Sequence, residues 1–258
     1  MPPSTRRTSR ILENKVPEIT AVFWVIKILA TTVGETGADY LAVNAGLGTG
    51  LTTGLTCAVL LALLCIQVAM PRYVPAIYWL TVVFVSVVGT QLTDVLTDRM
   101  EVSLYYSTAA FAFLLLVAFA VWYAVERTLS IHAVDTTRRE LFYWLVVLLT
   151  FALGTAAGDL ATEALGLGFT LGVLVFSGAI AFIGLLYFAN MNGVLAFWLA
   201  YVLTRPLGAS LGDLLSQSQI YGGLGLGAVN TSLIFLTIIL MLVVYLTLAR
   251  AGRTQRPA

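Results

Sequence analysis

Acidic side chains recur at one fixed spacing within stretches of this sequence that are otherwise apolar. Four segments share the pattern W-x9-G-x4-D, in which an aspartate follows a tryptophan by fifteen residues and a glycine by five. The copies run from Trp24 to Asp39, from Trp79 to Asp94, from Trp144 to Asp159 and from Trp198 to Asp213. Glu35, Asp98 and Glu163 each lie four residues from a motif aspartate. Side chains four residues apart share one face of a helix, so the spacing predicts paired carboxylates.

Carboxylates crowded into an apolar environment need compensation for their charge. Like charges repel, so the group either takes up protons or binds cations. Carboxylate and hydroxyl oxygens suit hard cations such as Mg²⁺, Ca²⁺ and Mn²⁺, whereas one histidine and two cysteines disfavour zinc or copper. We expect an ion- or substrate-binding cluster formed by Glu35, Asp39, Asp94, Asp98, Asp159, Glu163 and Asp213. Metal ligation is expected from Glu35, Asp39, Asp94, Asp159 and Asp213.

The position directly after the motif glycine distinguishes the four copies. Only the first copy has an acid there, Glu35, and this asymmetry makes it a candidate working residue. The other copies have Thr90, Thr155 and Ala209.

Two alternative roles for the motif residues stay open at this point. The repeated aspartates could be structural, each accepting hydrogen bonds from a neighbouring helix, and the glycine segments 34–37 and 208–212 could unwind and expose backbone carbonyls to an ion.

Two basic residues, Lys27 and Arg205, also lie within apolar stretches. Ionisable residues inside a membrane usually face a bundle interior or an aqueous cavity and pair with one another. We therefore expect Lys27 and Arg205 to compensate the charge of the acids. Alternatively, the two cations could bind an anionic substrate.

Composition indicates the kind of chain that must position these groups. The 258 residues are 59% hydrophobic and 10% charged, with a mean hydropathy of +0.94 and a formal net charge of +1. These values exclude a water-soluble globule and a disordered chain, and they disfavour nucleic acid as a partner. A membrane-spanning helix needs about 20 mostly apolar residues. Eight such stretches are predicted at 18–43, 51–70, 75–97, 103–126, 139–164, 168–189, 193–216 and 230–249.

The distribution of basic residues predicts the orientation of these spans. With eight spans, eleven basic residues, Lys15 among them, fall in the segments on one side, and only Arg99 falls on the other. Basic loops stay in the cytoplasm, so both termini are expected there. We predict an all-α multi-pass protein of the cytoplasmic (inner) membrane, in contact with the lipid bilayer. Its single transmembrane domain covers 18–250, between a basic segment at 1–17 and a tail at 251–258.

The spacing of the motifs predicts four parallel two-helix repeats, at about 18–70, 75–126, 139–189 and 193–249. The glycines of the first and third copies are 120 residues apart and those of the second and fourth 119, which indicates a unit that was doubled twice. The chain resembles uncharacterised bacterial integral membrane proteins built from a four-fold repeat of unknown function with a Gly-Asp-type motif. The segments TTVGETGAD at 31–39 and LGASLGD at 207–213 carry this resemblance most clearly. It implies an architecture and no activity.

The leading functional prediction is a secondary transporter for a small hard cation, such as Mn²⁺, that is coupled to or competes with protons. One alternative is a non-transporting scaffold or sensor with structural aspartates, and another is an organic-anion carrier that uses Lys27 and Arg205. The sequence contains no nucleophile–base pair, phosphate loop or metalloprotease motif, so we predict neither an enzyme nor a bound cofactor. The motif tryptophans are expected to form a lipid-facing aromatic belt. A homo-oligomer is left open.

Overall fold

A computed structural model describes residues 14–41 and 49–254, and these residues form eight long helices without a strand. All eight are long and apolar enough to span a membrane, so the protein is a multi-pass membrane protein that contacts the lipid bilayer. The helices are α1 (Ala21–Asp39), α2 (Thr49–Ala69), α3 (Pro75–Asp94), α4 (Leu104–Glu126), α5 (Thr137–Asp159), α6 (Gly168–Phe188), α7 (Gly193–Ser216) and α8 (Ala228–Thr254).

Local signals start these helices close to the predicted positions. The side chains of Thr20 and Thr136 cap α1 and α5 by accepting hydrogen bonds from backbone N–H groups. Asn192 caps α7 in the same way, with bonds of 3.0 and 3.1 Å. Pro75 occupies the first turn of α3, where its missing N–H costs nothing. At the other end of α4, Arg127 adopts a left-handed conformation and stops the helix.

The eight helices form two concentric shells. In their most apolar stretches, 61–72% of the residues of the odd-numbered helices are buried, against 11–22% in the even-numbered helices. The four inner helices close a ring, because α1 packs on α3, α3 on α5, α5 on α7, and α7 back on α1. The prediction of four two-helix repeats is thus confirmed, with one inner and one outer helix in each.

The outer helices tie consecutive repeats together. Each packs against the inner helix of the following repeat: α2 on α3, α4 on α5, α6 on α7, and α8 on α1. The last repeat therefore packs against the first, and all four outer helices show the same offset to the following repeat. The repeat spacing did not predict this offset, since spacing along the chain does not say which neighbour an outer helix prefers.

The inner helices remain α-helical through their motif glycines, so the alternative that segments 34–37 and 208–212 unwind does not hold. The backbone changes only after the motif aspartate. In the second and third repeats a π-helical turn follows directly, at Val95–Arg99 and Leu160–Ala164. Such wide turns are rare and occur often at functional sites.

Candidate functional site

The motif glycines allow the four inner helices to approach closely at one level. Each glycine lies against the residue three positions before the glycine of the next repeat, and an added Cβ would collide with it. The contacts are Gly34 on Ser86, Gly89 on Phe151, Gly154 on Arg205 and Gly208 on Thr31. The pattern repeats four times and closes on itself. Glycine is therefore needed here for close packing of helix on helix.

Arg205 lies at the centre of this level and is fully buried. Its Nη2 donates to Glu35 Oε2 at 2.5 Å and to Thr155 Oγ1 at 2.8 Å, and also contacts Thr90 Oγ1. Its Nε donates to Thr155 Oγ1 at 3.1 Å, and its Nη1 donates to the Thr31 carbonyl at 3.0 Å. The guanidinium of the fourth repeat is thus held by side chains from the other three.

Three of those partners occupy the position directly after the motif glycine. Glu35, Thr90 and Thr155 are equivalent residues of the first three repeats, and Thr90 Oγ1 itself lies 3.5 Å from Glu35 Oε2. Glu35 is only 7% exposed. Sequence reasoning used the two threonines only as a contrast to Glu35 and missed their role as partners of Arg205. The signal available was a polar residue at this position in three copies.

Lys27 has a different environment from Arg205. Its side chain is 1% exposed, and Nζ has no hydrogen-bond partner among the described residues. Nζ lies instead over two aromatic rings, 3.7 Å from the centre of Phe151 and 4.3 Å from that of Tyr201. Both residues were expected to compensate the charge of the acids. Arg205 does form an ion pair with Glu35, whereas Lys27 contacts the faces of two aromatic rings.

The motif aspartates lie five residues beyond the glycines, towards the end of the ring that is predicted to face outwards. Asp94, Asp159 and Asp213 are half-buried. Asp159 interacts electrostatically with Asp94, Asp213 and Glu35, so acids of different repeats are near one another at this end. The side chain of Asp39 lies outside the described part of the structure.

The remaining predicted acids, Asp98 and Glu163, are exposed, each within a π-helical turn. Glu163 still interacts electrostatically with Asp98 and Glu35. Among the described side chains, no group of three or more His, Cys, Asp or Glu could hold a metal ion. The described residues therefore do not assemble the predicted metal set, and the Glu35 carboxylate is occupied by Arg205.

An aromatic cluster closes the opposite end of the ring. The residue before each motif tryptophan is aromatic, and its ring contacts the tryptophan of the next repeat. Centroid distances are 5.5 Å for Phe23–Trp79, 5.4 Å for Tyr78–Trp144, 6.2 Å for Tyr143–Trp198 and 5.6 Å for Phe197–Trp24. Three of the four tryptophans, Trp79, Trp144 and Trp198, are buried in the protein. The expected lipid-facing belt is wrong for these three, because they pack against neighbouring repeats.

A buried ion pair lies at this same end. Lys15 Nζ is 2.6 Å from Glu140 Oε2, and both residues are 1% exposed. The ammonium also donates to the Val68 carbonyl at 2.9 Å, and Gln67 Nε2 donates to Glu140 Oε1 at 3.2 Å. The pair joins the segment before α1 to the end of α2 and the start of α5. The sequence places Lys15 among the basic residues of the N-terminal segment, but the structure buries it.

Comparison with known proteins shows which family the chain matches. A family model described as a Repeat of Unknown Function (DUF347) matches four segments of the chain, at residues 22–73, 77–128, 142–191 and 196–251. These segments agree with the four repeats derived from the motif spacing and cover more than half of the chain. No curated protein and no solved structure matches it.

Proposed function

The chain belongs to the family defined by this repeat of unknown function, and we propose that it is a secondary transporter of a small cation in the cytoplasmic membrane. One observation carries the proposal. Polar and ionisable side chains from all four inner helices meet on the axis of the ring, at Arg205, Glu35, Thr90 and Thr155. The proposed pathway follows this axis, and the proposal includes no catalytic chemistry.

The free energy needed to bury these charged side chains in a membrane supports a function beyond packing. A charged side chain in the middle of a membrane helix costs about 2.5–3.5 kcal/mol even on the lenient insertion scale. Replacing a buried ion pair by apolar residues of similar volume is often neutral or stabilising. The glycine contacts and the aromatic cluster already hold the four helices together. A buried charge at the centre of such a frame is typical of a substrate or ion pathway.

The acids favour a cation as the cargo. Asp94, Asp159 and Asp213 lie at equivalent positions around one end of the ring and are half-buried there. Carboxylates arranged around an axis attract cations and raise their local concentration. Carboxylate and hydroxyl oxygens suit a hard cation, and we propose Mn²⁺ with proton coupling as the case to test first.

Arg205 supplies a means of controlling this path. It occupies the Glu35 carboxylate as a tethered cation, so a cargo cation has to compete with it. Thr155 accepts hydrogen bonds from both Nε and Nη2 of Arg205. These two bonds keep the guanidinium hydrogen-bonded while Glu35 binds the cargo cation. In this scheme the empty carrier is closed by its own arginine, and cargo binding releases it.

Flux measurements in proteoliposomes test the proposal. Wild-type protein should carry Mn²⁺ down its gradient, and an entrapped pH dye should report a linked movement of protons. Asp159→Asn and Glu35→Gln should lower the cation flux by about tenfold or more, the loss that corresponds to about 1.4 kcal/mol of cation binding. Glu101→Gln is the matched control, because this exposed acid lies in the segment between α3 and α4, outside the inner helices, and should leave the flux unchanged.

The same variants separate the alternatives. Under the scaffold hypothesis, wild-type protein moves none of Mn²⁺, Mg²⁺, Na⁺ or K⁺, and Asp159→Asn lowers only thermal stability. Under the organic-anion hypothesis, a carboxylate probe moves instead, Lys27→Met abolishes its flux, and Asp159→Asn does not. Either result overturns the cation proposal, as does equal Mn²⁺ flux in wild type and Asp159→Asn.

A further inference from the structure

Lys27 has a fully buried side-chain amine for which the described residues supply no hydrogen-bond acceptor. Its Nζ lies over the faces of Phe151 and Tyr201. Contact with aromatic faces stabilises a desolvated cation by about 2 kcal/mol, whereas burying an ion costs several kcal/mol. The two rings alone therefore do not hold Lys27 in its charged form, and a protonated Lys27 needs a counter-ion bound beside it.

Lys27 has no counter-ion of its own among the described residues. Arg205 shares the Phe151 ring with it, with Cζ 5.9 Å from the ring centre. Glu35, eight residues after Lys27 on α1, forms an ion pair with Arg205. The motif aspartates lie further along the inner helices: Asp213 is twelve residues after Tyr201 and Asp159 is eight residues after Phe151, about 18 and 12 Å at the rise of an α-helix. The remaining titratable groups nearby, Tyr78, Tyr143 and Tyr201, are phenols and add no negative charge at neutral pH.

We propose that Lys27 binds a small monovalent anion, of which chloride is the type. The described residues give Lys27 no counter-ion of its own, so a protonated Lys27 is neutralised by one bound negative charge. The ligand is small, because inner helices and bulky rings enclose the ammonium and leave it 1% exposed. An ammonium carries three N–H donors, which suit a spherical anion. The site lies on α1 and faces α5 and α7, and it does not rest on the proposed cation transport.

Thermal unfolding in detergent tests the anion site without any transport assay. At equal ionic strength, replacing sodium gluconate by sodium chloride should raise the Tm of wild-type protein by about 4 °C, because a ligand that binds only the folded state stabilises it. Lys27→Met should show no chloride effect. In gluconate it should unfold at a higher temperature than wild type, since the buried amine without a partner is gone. Lys15→Met is the matched control and should keep the chloride effect, because Lys15 has Glu140 as its anion.

A second measurement uses the unmodified protein. Crystals grown in bromide should give an anomalous peak next to Lys27 Nζ, and the peak should be replaceable by chloride. The proposal is overturned if wild type shows no chloride-specific shift, if Lys27→Met shows the same shift as wild type, or if bromide leaves no peak at Lys27.

Discussion

Glycine at the four motif positions is required by the distance between helices. Gly89 illustrates the constraint, because a Cβ added there would lie 2.6 Å from Phe151 Cβ and 3.3 Å from the Ala152 backbone nitrogen. Backbone and Cβ atoms cannot rotate out of the way as the tip of a long side chain can. An alanine at this position must therefore push α3 and α5 apart.

At this scale we predict that Gly89→Ala lowers the free energy of unfolding by about 1–3 kcal/mol, the usual cost of overpacking. Gly178→Ala on α6 is the matched control, since nothing lies within 4 Å of a Cβ added there. It should leave stability unchanged or raise it by up to about 1 kcal/mol through helix propensity. Chemical denaturation in detergent measures both variants. Equal stability of Gly89→Ala and wild type would show that the helix contact is not as close as described.

The sequence predicted the depth and spacing of individual residues better than their partners. The four glycine–aspartate segments and the exceptional position of Glu35 follow from spacing alone. The pairing of Glu35 with Arg205 does not, because these residues are 170 positions apart and meet only when the fourth repeat lies beside the first. The environment of Lys27 likewise could not be predicted, since neither periodicity nor composition shows which rings lie next to its side chain.

At the scale of elements, the segment before α1 is held by a buried contact that joins three parts of the chain. Lys15 and Glu140 are both almost inaccessible, and removing one partner leaves the other charge buried. We predict that Lys15→Met lowers the free energy of unfolding by about 3 kcal/mol, within the usual range for breaking a buried pair. Unfolding in detergent at neutral pH checks this.

The double variant Lys15→Met with Glu140→Leu provides the control. It removes both charges and should recover most of the loss, because apolar replacement of a whole buried pair is often neutral. A double variant as unstable as Lys15→Met alone would mean that the segment is held by shape and not by charge. Sequence reasoning could not find this pair, because Lys15 follows three arginines in a polar N-terminal segment and looks solvated.

At the scale of the whole molecule, the closed ring makes each half of the chain dependent on the other. The first inner helix packs on α7 and α8, and α3 packs on α5. We predict that fragments 1–130 and 131–258, expressed together, form a complex that purifies through a tag on either one. Each fragment alone should aggregate or be degraded, because the packed faces of its inner helices are exposed.

Charge provides the matched comparison for this experiment. Two copies of the first fragment would bring together two Glu35 residues without Arg205, so the mixed complex should form in preference to a pair of identical fragments. Arg205→Met in the second fragment should reduce that preference. A first fragment that is stable and monomeric by itself would contradict the interlocked arrangement, as would equal amounts of mixed and identical pairs.

The order in which the ring closes has a consequence for biogenesis. Translation delivers α1 to the membrane first and α7 six helices later, yet Arg205 on α7 is the partner of Glu35 on α1. Until the ribosome has made the fourth repeat, the nascent first helix has to remain in the bilayer or at the insertion machinery with its acid unmatched. Neutralisation of this acid therefore waits for the arrival of the arginine, and a truncated nascent chain lacking it is a natural target for membrane proteases.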